Sequence, residues 1–374
     1  LNVGGPAIHA INLTRYLNRP PFQSLLVAGK VPSHEGDMEY LAEEMGVKPM
    51  IVPEIGRQIS PISDLIALYK LVRIINREKP HIVHSHTAKA GTLGRIASLL
   101  TGRGKRIHTF HGHIFHGYFS PLKSRFYILI EKILAVFTDR IVTVSPAVRN
   151  ELVDRYKICQ GRKCTVMELG FDLETFLKID RRSNFVHKEL GIPPYFLAVG
   201  MVGRLTHVKN PFLFINTARL VSEKLRNVCF VVVGSGELLD PLRDEVKRLN
   251  MDRRVFFLGW RRDLPEIYSS LDLVCLTSKN EGTPVSLIEA MASGIPVVST
   301  NVGGVCDIVD EGVNGYLVEE DDVAGMADKI VVLLNDPDLR GEMGRRGREI
   351  VKERFSIERL VRDMGNFYLN LISR

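Results

Sequence analysis

The chain has no apolar run long enough to matter to a bilayer. Its 374 residues contain no uninterrupted stretch of the roughly 20 apolar residues that a spanning helix needs, and no secretory pattern is read at its start. Cysteine is sparse. Cys159, Cys164, Cys229, Cys275 and Cys306 are five scattered residues without a CxxC spacing, which argues against a disulfide framework and against a thiolate zinc site. Cys229 and Cys275 sit in apolar runs and read as core, so a reduced cytoplasmic protein is expected. The single DxD, Asp336-Pro337-Asp338, follows a helical pattern and reads as helix punctuation rather than a metal site. A dinucleotide fingerprint is also missing. Gly234-Ser235-Gly236 begins one, but Leu239 stands where its third glycine belongs, and no acid follows about twenty residues later. A nicotinamide dehydrogenase is therefore disfavoured, and Gly234-Ser235-Gly236 is left as a tight turn, either structural or open to a nucleotide. No internal repeat or low-complexity segment is present.

Apolar residues make up 45% of the chain, enough for sizeable cores, and the length favours two domains. Short apolar runs alternate with helical patterns throughout. Strand candidates are 24–28, 82–84, 106–110, 141–144, 196–202, 230–233, 255–258, 273–276 and 297–299, with helical patterns such as 211–224, 238–249 and 323–334 between them. This alternation predicts parallel sheets covered by helices. Two such blocks join near the charged turn 178–182 and Pro193-Pro194. Gly4-Gly5-Pro6 opens the chain; a glycine turn of the phosphate-binding kind follows a strand, so a strand is expected ahead of residue 1. The net charge of +7 is uneven: residues 1–180 hold 24 Lys and Arg against 16 Asp and Glu. The front half thus points to an anionic partner.

Chemistry concentrates at the ends of the strand candidates, where open parallel sheets bind ligands. Glu281 lies after the run 273–276, and Glu289 lies on the helical pattern that follows it. Thr283 suits an N-cap and Pro284 a first helical position. That would place Glu289 six residues in, about 9 Å along the axis. The helix start between the two acids offers free N–H groups to an anion, and acids on either side can grip hydroxyls flanking a phosphate, which is the outline of a nucleotide sugar. After the strand 196–202, Gly203-Arg204-Leu205 and Lys209 set two cations five residues apart, able to reach one pyrophosphate; alone they would equally be solvated surface charges. Asn301-Val302-Gly303-Gly304 after the strand 297–299 is either a close-approach loop or plain turn chemistry.

The front half is rich in histidine: His81, His84, His86, His108, His111, His113 and His116 fall within 81–116. From Lys79 to Ile130 there is no Asp or Glu, against eight Lys and Arg. An anion- and sugar-contacting surface is the preferred reading, ordinary core or surface histidines the second, and a metal site the last, because carboxylate partners for metal ligands are absent locally. The apolar segment 121–137, with Lys123 and Arg125 at its start, reads first as a helix buried between sheet and neighbours and second as an amphipathic segment resting on a membrane or gripping a lipid phosphate.

Taken together, Glu281 and Glu289 with seven residues between them, Gly203-Arg204-Leu205 with Lys209, and Gly294-Ile295-Pro296-Val297 with Gly303-Gly304 resemble the retaining glycosyltransferases of family 4. The resemblance runs from Gly4-Gly5 to Arg354-Phe355-Ser356. It implies the GT-B fold: two Rossmann-like α/β domains with parallel sheets facing across a cleft, here 1–190 on the acceptor side and 191–355 binding the nucleotide sugar, with a helix at 356–374 crossing back onto the first. It further implies that Arg204 and Lys209 hold the donor diphosphate and that Glu281 contacts the transferred sugar. Thr283 and Pro284 would start the helix whose Val285 and Ser286 amides face the distal phosphate. Glu289 would accept from ribose hydroxyls. Gly4 and Gly5 would let the front loop close on the phosphates, and Gly203 and Gly236 count among the nucleotide-binding residues. His111, in Thr109-Phe110-His111-Gly112, matches the family's histidine near the sugar, and His84-Ser85-His86 with Lys89 matches a front-domain element of bacterial members.

The implied reaction moves a hexose or N-acetylhexosamine from a nucleoside diphosphate sugar, with uridine the expected base, to an acceptor hydroxyl with configuration kept. The basic front half and the segment 121–137 point to a lipid-linked or growing cell-surface glycan, with the enzyme cytoplasmic or peripheral on the inner membrane face. No nucleic-acid partner, metal or other cofactor is expected. Competing readings are a nucleotide-sugar epimerase or a phosphorylase on the same architecture, and a non-catalytic glycan-binding subunit. An epimerase would consume donor without acceptor.

Overall fold

A computed structural model describes residues 5–31, 38–56, 59–112, 121–179 and 183–373. Gly4, His113, His116 and Asp180-Arg181-Arg182 lie outside them. The chain divides into two units, one of 1–171 with 355–374 and one of 172–354.

In the first unit, β1 (Val27–Ala28) pairs with β2 (Met50–Ile51), and a second parallel sheet runs in the order β3 (Ile82–His86), β4 (Lys105–Phe110), β5 (Arg140–Thr143), β6 (Cys164–Val166). Helices Pro61–Glu78, Ala88–Thr101 and Pro121–Val136 connect these strands. One core gathers Val52, Ala67, Leu71 and Leu93; another joins Leu13 and Leu17 of helix Gly5–Leu17 to Ile107, Val142, Leu360 and Met364. The last two belong to helix Ile357–Ile372, whose N-cap Ser356 accepts from the Arg359 amide at 3.4 Å. Phe171 donates to Phe355 O (2.9 Å) and accepts from Ile357 (3.0 Å), so the two places where the chain changes units are stitched together.

The second unit holds one six-stranded parallel sheet: β7 (Leu197–Val202), β8 (Val228–Val233), β9 (Val255–Gly259), β10 (Leu273–Leu276), β11 (Val297–Thr300) and β12 (Gly315–Val318), in the spatial order β12-β11-β10-β7-β8-β9. Both faces are covered, which is why β8 reads Val-Cys-Phe-Val-Val-Val with every residue buried rather than alternating. Val199, Phe230 and Leu273 pack with Phe214 and Ile330 from the flanking helices.

The boundary differs from the 190/191 expected from the proline pair. Residues 172–190 join the second unit because helix Phe185–Leu190 is held there, the Val186 amide donating to Ser270 Oγ at 3.2 Å. The strand at 24–28 shrinks to β1, and β2, β6 and β12 are additional; they are strands of only two to four residues.

Candidate active site

The strand order of the second unit reverses between β7 and β10. Connections leave the sheet on opposite faces there, so a crevice opens outside the carboxyl ends of those two strands. Gly203, Arg204 and Lys209 follow β7; Ser278 and Glu281 follow β10. Lys209 Nζ pairs with Glu281 Oε1, and Ser278 Oγ donates to the same oxygen at 2.6 Å. Glu281 Oε2 has no hydrogen-bond partner among the described residues. The side chains are only 20% and 9% exposed, so seventy-two residues of sequence are closed by an ion pair largely withdrawn from water.

Backbone contacts hold this pair in place. Thr277 Oγ1 donates to Lys209 O (2.9 Å), and the Lys279 amide donates to Val208 O (2.8 Å). The loop after β11 is fixed on the same point: Gly304 donates to Glu281 O at 2.9 Å, and a Cβ on Gly303, at φ +52°, would stand 2.0 Å from that carbonyl. Gly236 has a similar reason, since its Cβ would lie 2.4 Å from Leu205 O. Its glycine is thus required by packing of the β7 and β8 loops against each other, whatever else approaches it. Leu205 is fully buried and anchors the β7 loop, leaving Arg204 exposed, with no ion pair among the described residues.

The helix after Glu281 runs Val285–Ala292, one residue later than the sequence suggests. Pro284 is the cap, in extended conformation (ψ 102°), so Thr283 stands one residue ahead of the cap. Proline spends no N–H at that position. The first helical amides, Val285 and Ser286, have no partner within the helix and carry its positive end. Glu289 is consequently the fifth helical residue. Its carboxyl meets the hydroxyl of the fully buried Tyr268 at 3.0 Å, while the same hydroxyl lies 3.1 Å from Ser286 O. Tyr268 has one proton to give. If it goes to the carbonyl, Glu289 must supply the hydrogen between them, and burial pushes the Glu289 pKa up to about 7, close enough to neutrality for both arrangements to occur. Tyr268 was not singled out in the sequence; only its position in another element reveals it.

His111 belongs to the first unit, just past β4. Its Nε2 lies 3.0 Å from Nδ1 of His86, the last residue of β3. His9, on helix Gly5–Leu17, completes the group with ring centroids 5.4 Å from His86 and 5.1 Å from His111. The other histidines are otherwise engaged. His84 bridges Tyr368 OH (2.5 Å) and Thr109 Oγ1 (2.6 Å), and His108 meets Ser85 Oγ at 3.0 Å. His81 is exposed. Lys89 pairs with Asp64 at 2.6 Å. Gly5 is the first residue of its helix. Asp336 accepts from the Leu339 amide at 2.9 Å, which is helix punctuation. The five cysteines are free thiols.

Residues 3–175 match the family model described as Glycosyltransferase Family 4, and residues 183–350 match Glycosyl transferases group 1. A UDP-Gal:alpha-D-GlcNAc-diphosphoundecaprenol alpha-1,3-galactosyltransferase of Escherichia coli is 30% identical over 360 residues, covering 91% of each chain. The chain belongs to the family 4 glycosyltransferases. The capsular polysaccharide biosynthesis glycosyltransferase CapM of Staphylococcus aureus is 28% identical to this glycosyltransferase, over 94% of this chain and 97% of that one. The glycosyltransferase also shares its fold with Anabaena Alr3699/HepE in complex with UDP, at a TM-score of 0.82 and 22% identity over 98% of this chain and 96% of that chain. Its architecture is therefore GT-B, built from two Rossmann-like units. Of the residues expected to act, Gly203, Arg204, Lys209, Glu281, Pro284, Val285, Ser286 and Glu289 come from the β7 and β10 ends and the helix between β10 and β11.

Proposed function

We propose that this glycosyltransferase moves a hexose or N-acetylhexosamine from a UDP-sugar to a lipid-linked or growing cell-surface glycan, with retention at the anomeric carbon. The relatives named above support the donor and acceptor classes. The observation that carries the reading is the Lys209–Glu281 pair beside the start of helix Val285–Ala292 at the sheet's reversal point. Lys209, Arg204 and the Val285 and Ser286 amides stabilise the diphosphate as it leaves, a preset positive environment that needs no metal in that step. Glu281 is a poor nucleophile, because Lys209 and Ser278 both occupy Oε1; its Oε2 is left to accept from a sugar hydroxyl. Attack then comes from the face the leaving group departs, with a phosphate oxygen taking the acceptor's proton. Glu289 accepts from the ribose, while His111, in the first unit, is engaged with His86.

The surface of the first unit fits a lipid-linked acceptor. Helix Pro121–Val136 buries Glu131, Leu134 and Ala135 but exposes Leu122, Phe126, Leu129, Ile133 and Val136, spaced to form one stripe with Lys123 and Arg125 beside it. The reading of this segment as wholly buried fails on that stripe. An apolar face flanked by cations suits an anionic membrane surface, and we place the enzyme there on the cytoplasmic side. Among the described residues no helix is long and apolar enough to cross a membrane.

The test is a panel of nucleotide sugars. A bound donor at 100 times its dissociation constant adds about 2.7 kcal/mol of stability, so the correct one raises the melting temperature, and product analysis with a lipid-linked acceptor should show the donor's own anomeric configuration. An inverted linkage, or an isomerised sugar nucleotide formed without acceptor, would refute the reading.

A further inference from the structure

We propose that His9, His86 and His111 form a binding site for a divalent transition-metal ion, zinc above others. The three come from different rigid pieces: His9 from helix Gly5–Leu17, His86 from the end of β3 and His111 from just past β4. β3 and β4 are hydrogen-bonded neighbours, with His86 opposite Thr109, so two ligands are placed by sheet register. One ring nitrogen from each histidine lies within 4.8 Å of the others. Ligands at 2.0–2.1 Å on one tetrahedral ion stand about 3.3 Å apart; His86 Nδ1 and His111 Nε2 are already at 3.0 Å, and the His9 nitrogen would have to close in from within 4.8 Å.

Unpaired polar atoms point the same way. Among the described residues, His9 is 1% exposed, yet neither of its ring nitrogens has a partner, and His111 Nδ1 has none. A neutral imidazole carries one N–H and one lone pair, so His9 buries an acceptor with nothing to accept from. Buried polar groups without partners call for an explanation, and an ion is one. Burial presses all three pKa values below the ordinary value, His86 to about 4, and neighbouring imidazoles add to the effect at His9 and His111, which keeps the rings in the neutral ligating form. The proton now shared by His86 and His111 moves to the far nitrogen of its own ring when the ion enters, with no change of protein charge.

The donor set is all nitrogen, which suits zinc and its neighbours and not magnesium or calcium. Three neutral histidines leave a fourth position open. No carboxylate is among the charged groups that act on these rings, and Arg359 acts on His9. The loaded site is therefore electropositive and would take an anionic oxygen, such as phosphate, in that position. His9 was outside the histidine-rich stretch that discouraged a metal reading of the sequence. The site is in the first unit and does not depend on the donor assignment in the second.

Full-length protein stripped by chelator should take up one equivalent of Zn²⁺ by calorimetry. Co²⁺ should give a visible spectrum of nitrogen and oxygen ligation without a thiolate charge-transfer band. His9→Ala and His86→Gln should each weaken zinc binding by at least about tenfold, while Cys159→Ser leaves it unchanged. No saturable uptake, a thiolate band in the unsubstituted protein, or uptake indifferent to both histidine substitutions overturns the proposal. The cobalt spectrum decides without relying on any variant folding.

Discussion

Glu289 offers a test that separates a functional acid from a structural one. Burial pushes the pKa of its carboxyl up to about 7, well above the ordinary carboxylate range. If the ionised form accepts from ribose hydroxyls, nucleotide affinity must rise as pH climbs through 7. At pH 5.5 a group of pKa 7 is about 3% ionised, so affinity should be about 30-fold weaker than at pH 8.5. UDP's terminal phosphate also titrates, near pH 6, but the ratio of wild-type to Glu289→Gln affinity cancels that contribution. Isothermal calorimetry with UDP from pH 5.5 to 8.5 should show that ratio growing towards high pH. Without nucleotide the sign reverses. The folded chain keeps a proton that the unfolded chain releases between pH 4.5 and 7, so wild-type stability falls across that window, by up to about 3 kcal/mol, and Glu289→Gln should lack the decline. A ratio flat in pH would sink the ribose assignment; a flat stability difference would sink the burial argument.

Arg204 and Lys209 should separate activity from stability. Arg204→Ala removes an exposed side chain without an ion pair among the described residues, so turnover should drop ~10²–10³-fold with melting temperature unchanged. Lys209→Ala should lose as much turnover and also about 1–3 kcal/mol of stability, because it leaves Glu281 buried without its cation; near-normal turnover in both variants would refute the diphosphate role. For the exposed stripe, Phe126→Asp with Ile133→Asp removes two side chains that are 59% and 53% exposed. Burying each in lipid contributes ~1.5–3 kcal/mol, so sedimentation with phosphatidylglycerol vesicles should weaken at least about tenfold, and equal sedimentation would exclude that face as the membrane contact.

The sequence carried most of the second unit. Runs such as Val228–Val233 are buried on both sides and announce themselves by unbroken β-branched composition. Helix Pro211–Lys224 begins at a proline, and its apolar spacing carries it to its last residue. Short strands such as Met50–Ile51 and Cys164–Val166 were not legible, because two or three residues carry no periodicity. The site was legible as a set of strand-end residues. Its internal wiring was not: Lys209 and Glu281 were assigned to separate parts of the donor, whereas they face each other. Gly236 was left as either structural or open to a nucleotide, because a sequence cannot show the packing reason for it, that Leu205 O occupies the space beside it. His9 was passed over for a related reason, since its partners lie far along the chain and only the fold gathers them.

The two halves of this enzyme cannot be completed in the order in which they are made. Residues 172–354 form an unbroken stretch and can close their core once they leave the ribosome. The first half waits for helix Ile357–Ile372, because Leu360 and Met364, both fully buried, fill the space against Leu13 and Ile107. What is synthesised first therefore finishes last, and a chain cut short before Phe355 would leave that apolar seam open to aggregation.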